Sequence, residues 1–283
     1  MIHDHKGQNF QINTLLVNHR IKFSEREIEC GINIFNLNYH FGTSSNSSLL
    51  QKDLILTNFI SNQEPVGNAV NYLIASIQNT LVPTDALNWI EEDNYRLLIW
   101  LLNRLSTQYN RLIVIYGINN LYKTFLYNID GINISIDEKI LFLQNCLSFW
   151  NVNKLSDQET KWLDPLNSAQ LAWAWQYLAK HGLQIECFNF TYNDQSKYMS
   201  ILACLDNLSY GTSESKELIL LKMKKTWSQK KFRDSGKAKK PYHLPLTIET
   251  QAQLEELAKL KNMNKSKVLE AIILKEFNEF KLK

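Results

Sequence analysis

Apolar positions recur at three- and four-residue intervals over most of this chain, a spacing that predicts a mainly α-helical protein. The clearest case is residues 168–181. Asn167 or Ser168 can cap it, Leu171, Ala174, Trp175 and Leu178 form its apolar face, and Lys180 and His181 precede a terminating Gly182. Similar spacing predicts a helix after Asp93 (Leu97, Leu98, Leu101, Leu102, Leu105), and one after Asp137-Glu138 (Ile140, Leu141, Leu143, Cys146). Another follows Asn193 (Tyr198, Ile201, Leu202, Leu205). A long helix is expected from Ser215 through Leu218, Leu221, Met223 and Trp227 towards Phe232, ending at Asp234-Ser-Gly236. Aromatic residues on these helices read as core packing rather than as the lining of a ligand pocket.

Three stretches depart from that period. Residues 1–20 are polar and read as poorly ordered or loosely docked. Leu37, Tyr39 and Phe41 alternate with Asn38 and His40, which predicts a half-buried strand before the loop Gly42–Ser48. Leu112-Ile-Val-Ile-Tyr116 fits a strand or a buried helix turn.

The last fifty or so residues carry the sharpest pattern. Tyr242, Leu244 and Leu246 alternate with His243, Pro245 and Thr247, predicting a short strand with Pro241 at its edge. A helix starting at Thr247 or Glu249 carries Leu254, Leu257 and Ala258 on one face. Asn262 suits a left-handed C-cap, and Asn264 caps a second helix with Val268, Leu269, Ile272, Ile273 and Phe277. One strand and two short helices are too little chain to bury a core alone, so this segment is expected to dimerise. Tyr242, Leu244, Leu246, Leu254, Leu257, Val268, Leu269 and Ile272 would form the dimer core.

Charge sharpens the picture. The 283 residues carry a net +3, but Lys222–Lys240 alone holds nine Lys or Arg against one acid. Residues 241–283 are near neutral at +1, which leaves −6 for residues 1–221. A mildly acidic body joined to a strongly basic segment points to a polyanionic partner. Double-stranded DNA fits: Pro241, His243, Pro245 and Thr247 would face the bases from a two-stranded ribbon. Lys230, Lys231, Arg233, Lys237, Lys239 and Lys240 would contact phosphates, joined by Asn264, Lys265 and Ser266 at the start of the second helix. An anionic membrane surface is the competing partner for the basic helix.

The segment PYHLPLTIETQAQLEELAKLKNMNKSKVLEAII resembles the ribbon-helix-helix family of DNA-binding dimers over about 40 residues. The likeness lies in the strand, the Leu-x-x-Leu-Ala first helix, the loop at Asn262 and the Asn264-x-Ser266 start of the second helix. KKFRDSGKAKK, joined to it, is similar to the basic lead-in of the Ter macrodomain organiser family, MatP. The family's polar reading positions fall on Pro241, His243 and Pro245, and the two prolines are a departure.

The resemblance implies a bacterial homodimer acting as a transcriptional regulator or as an organiser of the chromosome, nucleoid or a plasmid. The domains expected are a helical body (1–210), a basic helix and linker (211–240) and a ribbon-helix-helix (β-α-α) module (241–283). A scaffold whose C-terminal helices only oligomerise is the alternative.

Other chemistry finds little footing. Cys30, Cys146, Cys187 and Cys204 are scattered, which reads as free thiols in a reducing cytoplasm. His3 and His5 sit in a polar tail, and Glu91-Glu-Asp93 is accounted for by helix capping. No phosphate-cradling loop, GxSxG or HExxH occurs, so neither enzyme activity, metal nor cofactor is expected. The longest apolar run is far short of the roughly 20 residues a membrane span needs, and the chain reads as cytoplasmic.

Overall fold

The computed structural model describes residues 10–39, 47–110, 112–114, 120–183, 193–209, 216–235 and 245–281. Among them every regular element is helical. In chain order these are α1 (Ile12–Leu15), α2 (Glu25–Tyr39), α3 (Leu49–Ser61), α4 (Val66–Gln78), α5 (Thr84–Leu87), α6 (Tyr95–Tyr109) and α7 (Leu121–Asp130). There follow α8 (Ile136–Asn153), α9 (Asp157–Thr160), α10 (Ser168–Lys180), α11 (Asp194–Asp206), α12 (Lys216–Asp234), α13 (Ile248–Leu260) and α14 (Lys265–Lys281). Two units divide the chain, Met1–Ser228 and Gln229–Lys283, and the division falls within α12.

The first unit is built on two apolar cores. One gathers Phe10, Ile12, Leu16, Phe23, Ile28 and Phe35 with Leu56, Ile60, Leu73 and Ile77. Residues 10–16 are thus firmly seated, against the expectation of a loose tail. The reason is Asp53, whose carboxylate accepts from the backbone N–H groups of Gln11 (2.7 Å) and Ile12 (3.0 Å) and so satisfies amides that α1 leaves unpaired. The second core centres on α6, where Leu97 to Leu102 and Leu105 are all buried, and it takes in Phe125, Phe142, Leu171, Leu178 and Leu205.

Buried ion pairs tie this unit together. Arg26 makes two 2.7 Å bonds to Asp130 and a third to the Val82 carbonyl, while Lys139 donates to the carbonyls of Thr80 and Asp130. Arg96 is bidentate on Asp206 at 2.6 Å and also donates to the Leu155 carbonyl. Asp206 accepts in addition from Leu155 N–H. Charges taken out of water survive only when each is met by such partners. The start of α12 is held in the same way: the Lys216 ammonium donates to the Asn153 carbonyl, and burial pulls its pKa below that of an ordinary lysine.

Local chemistry sets the helix ends. Asn94 caps α6 by accepting from Leu97 N–H, so the cap lies one residue after the expected Asp93. Ser135 and Glu138 form a capping box at α8, and Asn167 caps α10. Gly182 adopts φ +64° after α10, with Leu183 N–H bonded to the Leu178 carbonyl at 2.9 Å, the paired-bond helix ending that a left-handed residue permits.

Two expectations require correction. Leu37 and Tyr39 belong to the final turns of α2, not to a strand; Phe41 lies outside the described residues. The strand at 241–247 is also absent as far as it can be followed. Residues 241–244 are outside the described set, Pro245 and Leu246 are in no regular element, and Thr247 is spent as the N-cap of α13. Among the described residues there is therefore no strand to make a β-α-α ribbon module, and the C-terminal element is a helix pair. Physically, Pro245 brings no N–H to a ladder, and among the described residues nothing pairs with this stretch. The helix expected after Ser215 is α12, and its apolar first half packs into the second core: Ile219, Leu220, Met223 and Trp227 are buried, whereas Leu218, Leu221 and Phe232 are exposed. Residues 112–114 form no regular element either; Val114 N–H and carbonyl are instead satisfied by the Asn128 side-chain amide at 2.9 and 2.7 Å.

Candidate nucleic-acid interface

Two features occupy the C-terminal quarter: a helix half rich in cations and a helix pair with little inside it. The first half of α12 is anchored by its buried apolar residues, and helical geometry then fixes where the cations go. Lys222 and Arg233 fall on one flank of the buried stripe, Lys224 and Lys231 on the other, and Lys225 on the opposite face. Lys231 and Arg233 stand in the last turn, where positive charge suits the helix dipole. Lys230 pairs with Asp234 at 2.8 Å, an exposed i,i+4 contact of small energetic worth, so its charge remains usable. Lys237, Lys239 and Lys240, expected on phosphates, lie outside the described residues, as do Pro241, Tyr242, His243 and Leu244.

The helix pair is held by few groups. Thr247 caps α13, its hydroxyl accepting from Thr250 N–H at 3.2 Å and sharing a hydrogen bond with the Thr250 hydroxyl. Asn262 takes φ +48°, and Met263 N–H reaches the Ala258 carbonyl at 3.0 Å, closing α13. Asn264 accepts from Lys267 N–H at 2.9 Å at the head of α14. Lys265 pairs with Glu255 across the two helices at 2.5 Å, and this bond holds the Glu255 carboxyl below its ordinary pKa. Ser266 is exposed beside them.

Inside the pair, Leu254, Ala258 and Val268 are buried, with Leu246 and Leu269 packed at the margin. Pro245 is exposed, and the expected core residues Leu257 and Ile272 are both more than a third exposed. Beyond them Ile273, Leu274, Phe277 and Phe280 stand mostly in solvent, Phe280 at 79%. Ile272, Ile273, Phe277 and Phe280, with Glu276 and Glu279, line an open depression of about 500 Å³. The heptad-like spacing of α14 signalled an apolar face; only the structure shows that α13 covers so little of it.

One grouping escaped the sequence. Trp162, Trp173, Tyr177, His181 and Trp227 form a continuous aromatic strip, with Trp173 and Trp227 centroids 5.1 Å apart. The i, i+4, i+8 spacing of Trp173, Tyr177 and His181 was its only trace.

No family model, curated protein or solved structure matches the chain. Among the described residues no helix is long and apolar enough to cross a membrane.

Proposed function

We propose that this protein binds double-stranded DNA as a homodimer, joined through the apolar faces of α13 and α14 and held to phosphates by the basic segment Lys222–Lys240. The observation that carries the reading is a coincidence: the most cationic stretch of the chain leads directly into a helix pair that cannot enclose its own apolar residues. A second copy would cover Leu257, Ile272, Ile273 and Phe277, and would bring two basic segments to one duplex. The likeness to ribbon-helix-helix proteins then rests on the two helices and their loop, used for dimerisation and phosphate contact. With Thr247 committed to capping, DNA shape and backbone supply more of the recognition than hydroxyl readout does. Nucleoid association follows from such binding, as regulator or as organiser.

Fluorescence anisotropy with a random duplex at rising salt tests the proposal. Each phosphate contact contributes about −0.9 to the slope of log affinity against log salt. Replacing Lys239 and Lys240 by Ala should weaken binding to all sequences alike and flatten that slope by roughly 2. Absence of binding at about 50 mM salt would contradict the proposal and favour a scaffold that only oligomerises. Genome-wide mapping then separates many dispersed sites, an organiser, from a single promoter, a regulator.

A further inference from the structure

The aromatic strip of the first unit has a chemistry of its own. Trp162 and Trp173 meet edge to face with centroids 6.4 Å apart. Trp173 lies 5.6 Å from Tyr177 and 5.1 Å from Trp227, and Tyr177 is 4.3 Å from the His181 ring at a 36° tilt. Trp227 is buried beneath, whereas Trp162, Trp173 and Tyr177 are only partly buried and His181 is exposed. A core would be expected to close over so much aromatic surface; here the rings reach the surface along one stripe of α10.

Three lysines lie near these rings along the chain. Lys180 lies three residues after Tyr177 on α10 and is exposed, Lys161 neighbours Trp162, and Lys224 precedes Trp227 by one turn of α12. Glu159 is within electrostatic reach of Lys224, but its carboxylate is already bonded to the Ser156 hydroxyl and backbone N–H. Flat π faces in a row with ammonium groups beside them match a ligand that alternates flat bases with anionic phosphates. That combination stacks successive bases while tracking the backbone.

We propose that the strip Trp173–Tyr177–His181 is a second nucleic-acid site, one that takes single strands. Bases stack on the Trp173, Tyr177 and His181 rings, and phosphates lie on Lys180, Lys224 and Lys161. Apart from Lys224, which lies in the basic segment assigned to duplex phosphates, none of its residues belongs to that segment or to the helix pair, so the rings, Lys161 and Lys180 report on single-strand binding separately.

The test uses the full chain and an end-labelled oligothymidine of about fifteen nucleotides, long enough to cover one such site. The single strand should quench tryptophan fluorescence at low salt, and an abasic strand of equal length should bind at least tenfold more weakly. Tyr177→Leu keeps apolar bulk against Trp173 but removes a stacking face. It should raise the single-strand dissociation constant roughly tenfold, leave random-duplex affinity unchanged, and leave the thermal midpoint within a few degrees. Lys180→Glu, on the exposed side of the same helix, should weaken single-strand binding without touching any ring. Equal affinity for the abasic and thymidine strands, or unchanged single-strand binding in both variants, would overturn the proposal.

Discussion

The two units of this chain solve the same packing problem to different degrees. Up to Ser228 the helices bury two apolar cores, and the Arg26–Asp130 and Arg96–Asp206 pairs each take further bonds from backbone groups. Beyond it, α13 and α14 bury Leu254, Ala258 and Val268 and leave Ile273, Leu274, Phe277 and Phe280 to solvent. Both stretches are amphipathic by sequence. The difference lies in how much of each apolar face its own chain can cover, and a segment this short is marginal without help from a partner, a metal or a disulfide.

The contrast can be broken at several points. The largest effect is expected inside the first unit. Asp206→Ala leaves the Arg96 guanidinium buried without its carboxylate, a loss of about 3–5 kcal/mol that denaturant unfolding would register. A change below 1 kcal/mol would mean that water reaches Arg96. Leu254→Ala removes one of the three buried apolar side chains among the described residues of the second unit and should cost about 2–3 kcal/mol. The loss should appear as faster amide exchange in α13 and α14 only, with the first unit unaffected. Asn262→Gly relieves a left-handed backbone angle and should change stability by a few tenths of a kcal/mol at most. The smallest effect concerns Glu255. Its folded pKa lies below the ordinary 4.5, so the bond to Lys265 stabilises the helix pair above that value. That contribution is lost as pH falls through the lowered pKa. Amide protection in α13 and α14 should therefore differ between Glu255→Gln and the parent protein at neutral pH and converge in acid.

Much of the helical frame was legible because local chemistry wrote it. Asn167 and Gly182 bracket α10, Asn262 and Asn264 separate α13 from α14, and the acids Asp137 and Glu138 mark the first turn of α8. Elsewhere two patterns coexisted and packing chose. In α12 the apolar positions spread over more than one face, and packing buries Ile219, Leu220, Met223 and Trp227 while Leu218 and Leu221 stay exposed. At Leu37–Tyr39 a period of two spans too few residues to outweigh a helix already running from Glu25. Of the alternation at 241–247 only Pro245 to Thr247 are described; Pro245 and Leu246 lie in no regular element, and the Thr247 hydroxyl serves the helix that follows it. The basic segment was plain from composition, whereas the aromatic strip joins α10, α12 and the residue before α10's loop, a proximity no single-helix pattern encodes.

Sedimentation equilibrium of the intact chain at micromolar concentration bears most directly on the claim that the C-terminal helix pair is completed by a second copy. The account predicts a species of twice the 33.1 kDa chain mass, reduced to a monomer by Phe277→Glu with the first unit still folded. A parent protein that remains monomeric at tens of micromolar, its α14 face open to solvent, would contradict it.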